Sequence, residues 1–416
     1  MSAFPHAWDV FGALTMGRKL RLTGLCGVFG LLTVAGTSQT QPAPAQTKPA
    51  VTRSEFSRPL PLTKFYDTPD PLPRGKPGDL MRSAQFDEYD LPAEVNALRI
   101  VYHSETAVGA DVAVSGVILF PDAKPPAEGW PIIAWAHSWT GVARSCAPSL
   151  ARNLQHGPFL AMYVHLGYAV VATDYAGLGA GSRSAFADIP SNASDVIYSV
   201  AAARHALPQL GSRWVALGTA EGGMAVVGVA EIESGFHDPN YLGSVAISHL
   251  GDMKNLYASE SALTYKIPLF LAYGIKTAFP QFNVSDMLTP EAMSLYEKIG
   301  QGCDDGGNQL EASATSLLKP GWRTNPFVQK YFERNRLGLR PAKSPLLVIA
   351  SEEESAINET AKIVGRLCKA RDKVQLETIS EPDFGRVIGD SARDQMAWIE
   401  SRFANAAPHD NCSALH

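Results

Sequence analysis

The stretch Gly218-Thr219-Ala220-Glu221-Gly222-Gly223 constrains this chain more than any other. A run rich in strand formers, 214–218, meets a helical run, 224–232, with almost no loop between them. A strand that passes straight into a helix needs a sharp turn, and its backbones come too close for side chains at the flanking positions. The glycines at 218 and 222 answer that need. The spacing is that of the G-x-S-x-G elbow, whose central side chain stands at the top of a sheet. Here the centre is Ala220. Its methyl group can neither attack a carbonyl nor give a proton to a base.

The elbow belongs to a wider alternation of apolar β-rich runs and helical runs. Candidate strands are 97–104, 112–120, 131–137, 168–174, 214–218, 243–248, 345–350 and 373–379. This pattern predicts an α/β fold with a mostly parallel eight-stranded sheet flanked by helices, its first two strands antiparallel. A polar run, Ser191-Asn192-Ala193-Ser194-Asp195, reads as the cap of a helix that continues to Leu207. Between 251 and 341 the alternation stops, and the helical stretch there is expected to be a cap or lid. The core is then 56–250 together with 342–412, with helices reaching Lys369 and spanning 391–403. A chain of 416 residues, 45% hydrophobic, has material for one large domain with such an insertion.

The N-terminus has the pattern of a signal peptide over residues 1–38. Arg18, Lys19 and Arg21 precede the apolar run 22–35, and small residues follow at 36–38, with Met16 as an alternative start. That run has about 14 residues against the ~20 of a membrane span. A lipoprotein through Cys26 is disfavoured, because Thr23-Gly24-Leu25 is a poor attachment context. Residues 39–55, rich in Pro, Ala and Gln, read as a linker. Export, secreted or periplasmic, is therefore expected. Removal of Cys26 with the leader leaves Cys146, Cys303, Cys368 and Cys412 in an oxidising compartment. Four cysteines allow three pairings. We expect Cys146–Cys303 and Cys368–Cys412, the second tying the tail to a helix. A formal charge of -5 and a pI near 6.1 give no basic surface for nucleic acid. No Cys/His spacing suits zinc, and no metal or cofactor is expected.

Longer matches lie on either side of the elbow. They include Gly129-Trp130-Pro131-Ile132-Ile133-Ala134-Trp135-Ala136-His137 with Thr140-Gly141, and Cys146-Ala147-Pro148-Ser149. Next come Gly167-Tyr168-Ala169-Val170-Val171-Ala172-Thr173-Asp174-Tyr175 with Gly177-Leu178-Gly179, and Ala397-Trp398-Ile399 with Arg402-Phe403. Together they resemble the secretory lipase family of the α/β-hydrolase superfamily, over roughly 78–412. The resemblance implies secreted esterases or lipases with a Ser-Asp-His triad and a helical cap. It also implies which positions carry the chemistry, and there this sequence departs. The family's Gly-His-Ser-Gln-Gly-Gly is matched with alanine at the nucleophile, Ala220. Glu354, or Glu353 if the loop shifts by one, stands for the acid, and Phe384 for the histidine. Asp174 and Glu221 fall where backbone groups would line an oxyanion hole. His137-Ser138-Trp139-Thr140-Gly141 replaces a His-Gly-Thr-Thr-Gly.

Chain order gives the same answer without alignment. The triad runs nucleophile, acid, histidine, and after His249 the next histidine is His409, near the chain's end. Other residues are weak substitutes. Thr219 sits one position from the apex, and Ser138 is a loop residue of the kind that caps backbone. Glu221, at a helix start, reads as a capping or salt-bridging carboxylate. His249 beside Asp252 reads as a structural pair, and Glu352-Glu353-Glu354 as a solvated loop rather than a metal site. Removing one triad member costs about 10⁴–10⁶ in kcat, and here serine and histidine are both gone. The chain is thus read as a lipase/esterase-like scaffold without triad catalysis, binding an acyl or apolar ligand or a partner. Two other readings stay open: an active lipase or carboxylesterase with a non-standard nucleophile, and an envelope interaction protein.

Overall fold

The computed structural model describes residues 59–181, 183–236, 238–247, 251–256, 267–303, 314–352, 357–380 and 384–414. The expected signal peptide and linker lie outside them. The described strands are β1 (Leu80–Gln85), β2 (Val95–Glu105), β3 (Asp111–Pro121), β4 (Trp130–Ala136), β5 (Ala169–Thr173), β6 (Leu210–Thr219), β7 (Tyr241–Ile247), β8 (Leu346–Ser351) and β9 (Val374–Ile379). They form one sheet in the order β1-β2-β3-β5-β4-β6-β7-β8-β9. From β5 to β9 all neighbours are parallel, while β1, β2 and β3 join antiparallel.

The expected eight strands are all present, but the sheet has nine. The addition is β1, an edge strand half-buried in its first half and exposed in its second. Its segment, Leu-Met-Arg-Ser-Ala-Gln, has neither an apolar run nor a clear alternation. Backbone pairing with β2 holds it, and pairing leaves no mark on side-chain pattern.

The helices are α1 (Gly157–His165), α2 (Ile189–Ala206), α3 (Glu221–Phe236), α4 (Met253–Leu256), α5 (Ile267–Ala278), α6 (Pro290–Ile299), α7 (Ala314–Leu317), α8 (Pro326–Arg334), α9 (Ile357–Lys369), α10 (Phe384–Asp390) and α11 (Ala392–Phe403). They cover both faces of the sheet, so successive residues of a central strand are buried in different layers. In β4, Ile132, Ala134 and Ala136 pack with Val196 of α2, Val226 of α3 and Ile363 of α9. Ile133 and Trp135 pack on the other side with Leu160 of α1, Val387 of α10 and Ile399 of α11. A third cluster gathers Phe270, Leu271, Trp322, Tyr331 and Phe332, from between β7 and β8, around Phe186 and Val142.

The start of α2 corrects a sequence expectation. The helix begins at Ile189, with Pro190 in its first turn, so Ser191 to Asp195 lie inside it rather than capping it. Their polar groups serve other segments. Asp195 accepts from the Ser104 hydroxyl at 2.5 Å and from the Ala176 N–H at 2.8 Å. Burial raises its carboxyl to about 7. These bonds fix the turn that follows β5.

Both expected disulfides are present, with Cα–Cα distances of 5.1 Å for Cys146–Cys303 and 5.5 Å for Cys368–Cys412. The second ties α9 to the C-terminal tail, which runs beside β9. Asn411 donates its backbone N–H to Val374 O at 3.1 Å. Its side chain accepts from the Leu376 N–H at 2.9 Å and donates to Leu376 O at 2.8 Å. Cys368–Cys412 closes a 44-residue separation. The double change Cys368→Ser with Cys412→Ser should lower unfolding stability by ~3–4 kcal/mol on the chain-entropy estimate. Urea denaturation measures this, and a loss under ~1 kcal/mol would show the link to be thermodynamically idle.

Candidate active site

The elbow has the geometry its spacing implies. β6 ends at Thr219, α3 starts at Glu221, and Ala220 between them has φ of 52°. That left-handed conformation costs an L residue about 1–2 kcal/mol. Close backbone contact enforces it. A Cβ on Gly218 would lie 2.3 Å from Gly222 O, and one on Gly222 would lie 1.9 Å from Ala136 O. Hydrogen bonds lock the apex in place: Ala220 N–H donates to Ile247 O at 3.0 Å, and Met224 N–H to Ala220 O at 3.0 Å. The apex carries the half-buried methyl group of Ala220.

Glu221 opens α3, so its N–H has no intrahelical acceptor. Its carboxylate turns to the segment before α2, accepting from Ala187 N–H at 2.6 Å and Asn192 Nδ2 at 2.9 Å. Burial pushes this carboxyl up to about 7. Ala187 is itself left-handed, with φ of 55°. Its segment is also held from the other side. Asp188 pairs with Arg334 of α8 at 2.9 Å, Thr277 of α5 donates to Ser184 O at 2.8 Å, and Tyr331 donates to Phe186 O. These ties join residues far apart in sequence, so periodicity and motif spacing carried no sign of them.

His137 follows β4 directly and is buried, stacked on Tyr175 with ring centroids 4.2 Å apart. Its Nε2 lies 3.1 Å from Asp174 O and its Nδ1 faces Ser138 O. Burial lowers the imidazole to about 4, and a neutral ring has one proton to donate between those two carbonyls. The Asp174 carboxyl accepts from Ser115 Oγ at 2.6 Å, Ser149 Oγ at 2.5 Å and Ser149 N–H at 2.9 Å. Its backbone N–H donates to Ser115 O at 2.8 Å. In this conformation the Asp174 amide is therefore committed to the sheet, and of the two oxyanion candidates Glu221 has the uncommitted amide position.

Glu353, Glu354 and His249 lie outside the described residues. Phe384 is the first residue of α10. Asp252 is bound to Arg366 at 2.9 Å, with Arg336 at 3.9 Å. Glu352 accepts from the Thr378 hydroxyl at 2.9 Å. Among the described residues no cluster of three His, Cys, Asp or Glu could hold a metal ion.

Below the elbow the cleft is almost filled. Trp139, Tyr175, Leu178 and Phe186 line it with His137 and Glu221, leaving about 10 Å³, room for one water at most. Trp139 stacks on Phe186 at 6.2 Å between centroids and lies tilted against Phe270 of α5 at 6.3 Å. Two buried hydroxyls beside it, Thr140 Oγ1 and Thr219 Oγ1, have no hydrogen-bond partner. Thr140 lines the cleft. An unsatisfied buried hydroxyl costs about 1–3 kcal/mol.

No protein-family model and no curated protein matches the sequence. Solved structures do match. Candida antarctica lipase A in its closed state aligns with a TM-score of 0.70 and 16% identity, over 84% of this chain and 88% of that one. The rice cell wall degrading esterase LipA from Xanthomonas oryzae aligns at 0.62 and 17% identity, over 79% and 98%. A putative hydrolase from Legionella pneumophila aligns at 0.63 and 15% identity, over 78% and 98%. With its mostly parallel nine-stranded sheet flanked by helices, this chain has the α/β-hydrolase fold of these lipase and esterase structures.

Proposed function

We propose that this protein is a secreted, lipase/esterase-like hydrolase scaffold that has lost triad catalysis and binds an acyl or other apolar ligand in the cleft below the elbow. One observation carries the reading: an elbow apex kept in its strained left-handed conformation, with alanine where the attacking group would be. The cleft's composition supports a ligand. Its walls are largely aromatic and aliphatic, and the unpartnered Thr140 hydroxyl offers one hydrogen bond to a polar end group. Residues 251–341 serve as the cap, which has to move with Trp139 and Phe186 before a ligand enters so small a space. Two disulfides suit an exported protein, and residues 1–38 direct the export.

Ester hydrolysis by another nucleophile is the second reading, favoured by the retention of a costly backbone conformation that binding alone does not need. A fluorophosphonate probe separates the two. The purified protein should remain unlabelled and should hydrolyse short p-nitrophenyl esters no faster than a mock preparation, whereas stoichiometric labelling at one residue would establish the second reading. Organic extraction of the purified protein should release a bound lipid.

Restoring the serine alone should not make an enzyme. Ala220→Ser places a hydroxyl at the apex, but it needs a base to take its proton. The double change Ala220→Ser with Phe384→His supplies one, with Glu354 to orient it, and should gain measurable esterase turnover once circular dichroism shows it folded. Equal turnover in the single and double variants would place the base elsewhere.

The Glu221 contacts also make a pH prediction. Its carboxyl is raised from an ordinary 4.5 to about 7 on folding. Its favourable contribution is thus complete below pH 4.5 and lost as pH rises through 7. Glu221→Gln keeps an acceptor for Ala187 N–H without the ionisation. The fall in Tm between pH 5 and pH 8 should be smaller in this variant than in the parent; an identical fall would mean that Glu221 does not titrate in that window.

A further inference from the structure

One oxygen of the Glu221 carboxyl is unused. Ala187 N–H at 2.6 Å and Asn192 Nδ2 at 2.9 Å both donate to Oε1, while Oε2 has no hydrogen-bond partner. Unlike the Thr140 hydroxyl, which is sealed without a partner, Oε2 keeps accessible surface, and Glu221 lines the elbow cleft. The free oxygen therefore opens onto the cleft. Because Oε1 already accepts twice, a proton on this carboxyl sits on Oε2, where it turns an acceptor into a donor. Burial favours that form, pushing the carboxyl up to about 7.

The charges around Oε2 restrict what can meet it. Neither lysine nor arginine stands among the described residues that line the cleft. His137, following β4, is kept neutral by burial, which lowers it to about 4. Tyr175, after β5, keeps its proton, because burial and the Glu221 charge both raise it. The segments 138–141 and 184–187 carry no charged side chain. On α2, Asn192 is uncharged and Asp188, just before it, is paired with Arg334 of α8. A carboxylate ligand would thus meet Glu221 with no countercharge, and burying an unpaired charge is costly. A neutral carbonyl oxygen needs one donor, which the protonated Oε2 supplies with no charge to bury. Glu221 and Asn192 stand on α3 and α2, which pack on the sheet, so they belong to the wall that stays when Trp139 and Phe186 move. We infer that Glu221 is the specificity-determining contact of the cleft: its Oε2–H donates to the carbonyl oxygen of a neutral ester or ketone with an aliphatic tail, and the same group turns away a fatty-acid anion. This rests on the reading that the elbow cleft holds an apolar ligand.

Calorimetric titration of the full chain with methyl hexyl ketone, whose carbonyl cannot be hydrolysed, tests this on both sides of pH 7, with octanoate beside it. The ketone should bind below pH 7 and weaken by about tenfold per pH unit above it, as the protonated fraction of Glu221 falls. Above pH 7 its binding should take up protons, read as a dependence of the heat on the ionisation enthalpy of the buffer. Glu221→Gln sets an amide N–H where Oε2–H stood and still accepts on the other oxygen. It should bind the ketone equally at every pH, without proton uptake. Asp195 titrates near the same pH but accepts from Ser104 and the Ala176 N–H, and it is unchanged in this variant. A pH dependence that persists in Glu221→Gln would therefore overturn the role of Glu221. So would ketone binding by the parent that does not change with pH, or octanoate binding as tightly as the ketone. No ketone binding by the parent at any pH would instead overturn the cleft as a ligand site, and this inference with it.

Discussion

The near-contact of Gly222 with the end of β4 and of Gly218 with Gly222 is the constraint on which this molecule's functional end rests. It brings α3 back against the sheet immediately after β6. It forces Ala220 into a conformation that an L residue does not choose. Strain of this kind survives only where the surroundings over-determine it. Here the bonds to Ile247 and from Met224 on either side of the apex do so.

The polar groups around that turn fall into two sets. Asp174 and Asp195 are buried, but each is saturated by hydroxyls and amides, which fix the turn after β5. Thr140 and Thr219, by contrast, keep hydroxyls without partners beside the elbow. Among the described residues Asp188 Oδ1, Asp372 Oδ2 and Trp398 Nε1 are the other buried side-chain atoms without a partner.

How much of this was legible beforehand depended on the range of the interaction. Strands buried on both faces announce themselves as apolar runs, so β4, β5 and β8 were readable within a residue or two. β1 was not, because Arg82 and its polar neighbours sit on an edge whose only requirement is backbone pairing. The elbow was legible because Gly218 and Gly222, whose backbones meet, are four apart, whereas an even cysteine count suggested two disulfides and left three pairings open. Asn192 looked like part of a helix cap, since its partner Glu221 is 29 positions away. The Asp188–Arg334 pair, 146 positions apart, left no local trace. Composition could not disclose the His103–Asp111 pair either, because the register of β2 on β3 brings the two together.

The C-terminal tail has a consequence for the molecule's behaviour in a crowd. A sheet's outermost strand carries a row of unpaired amides and carbonyls, which invites any extended segment to add itself. At β9, Asn411 occupies that row at Val374 and Leu376, its side-chain amide imitating the backbone of a tenth strand, while Cys412 next to it is covalently anchored to α9. The tail is thus a permanent occupant of a place that a neighbouring chain would otherwise compete for. One short stretch of chain after α11 covers the Val374–Leu376 part of that edge, and the bond that keeps it there forms only where thiols oxidise.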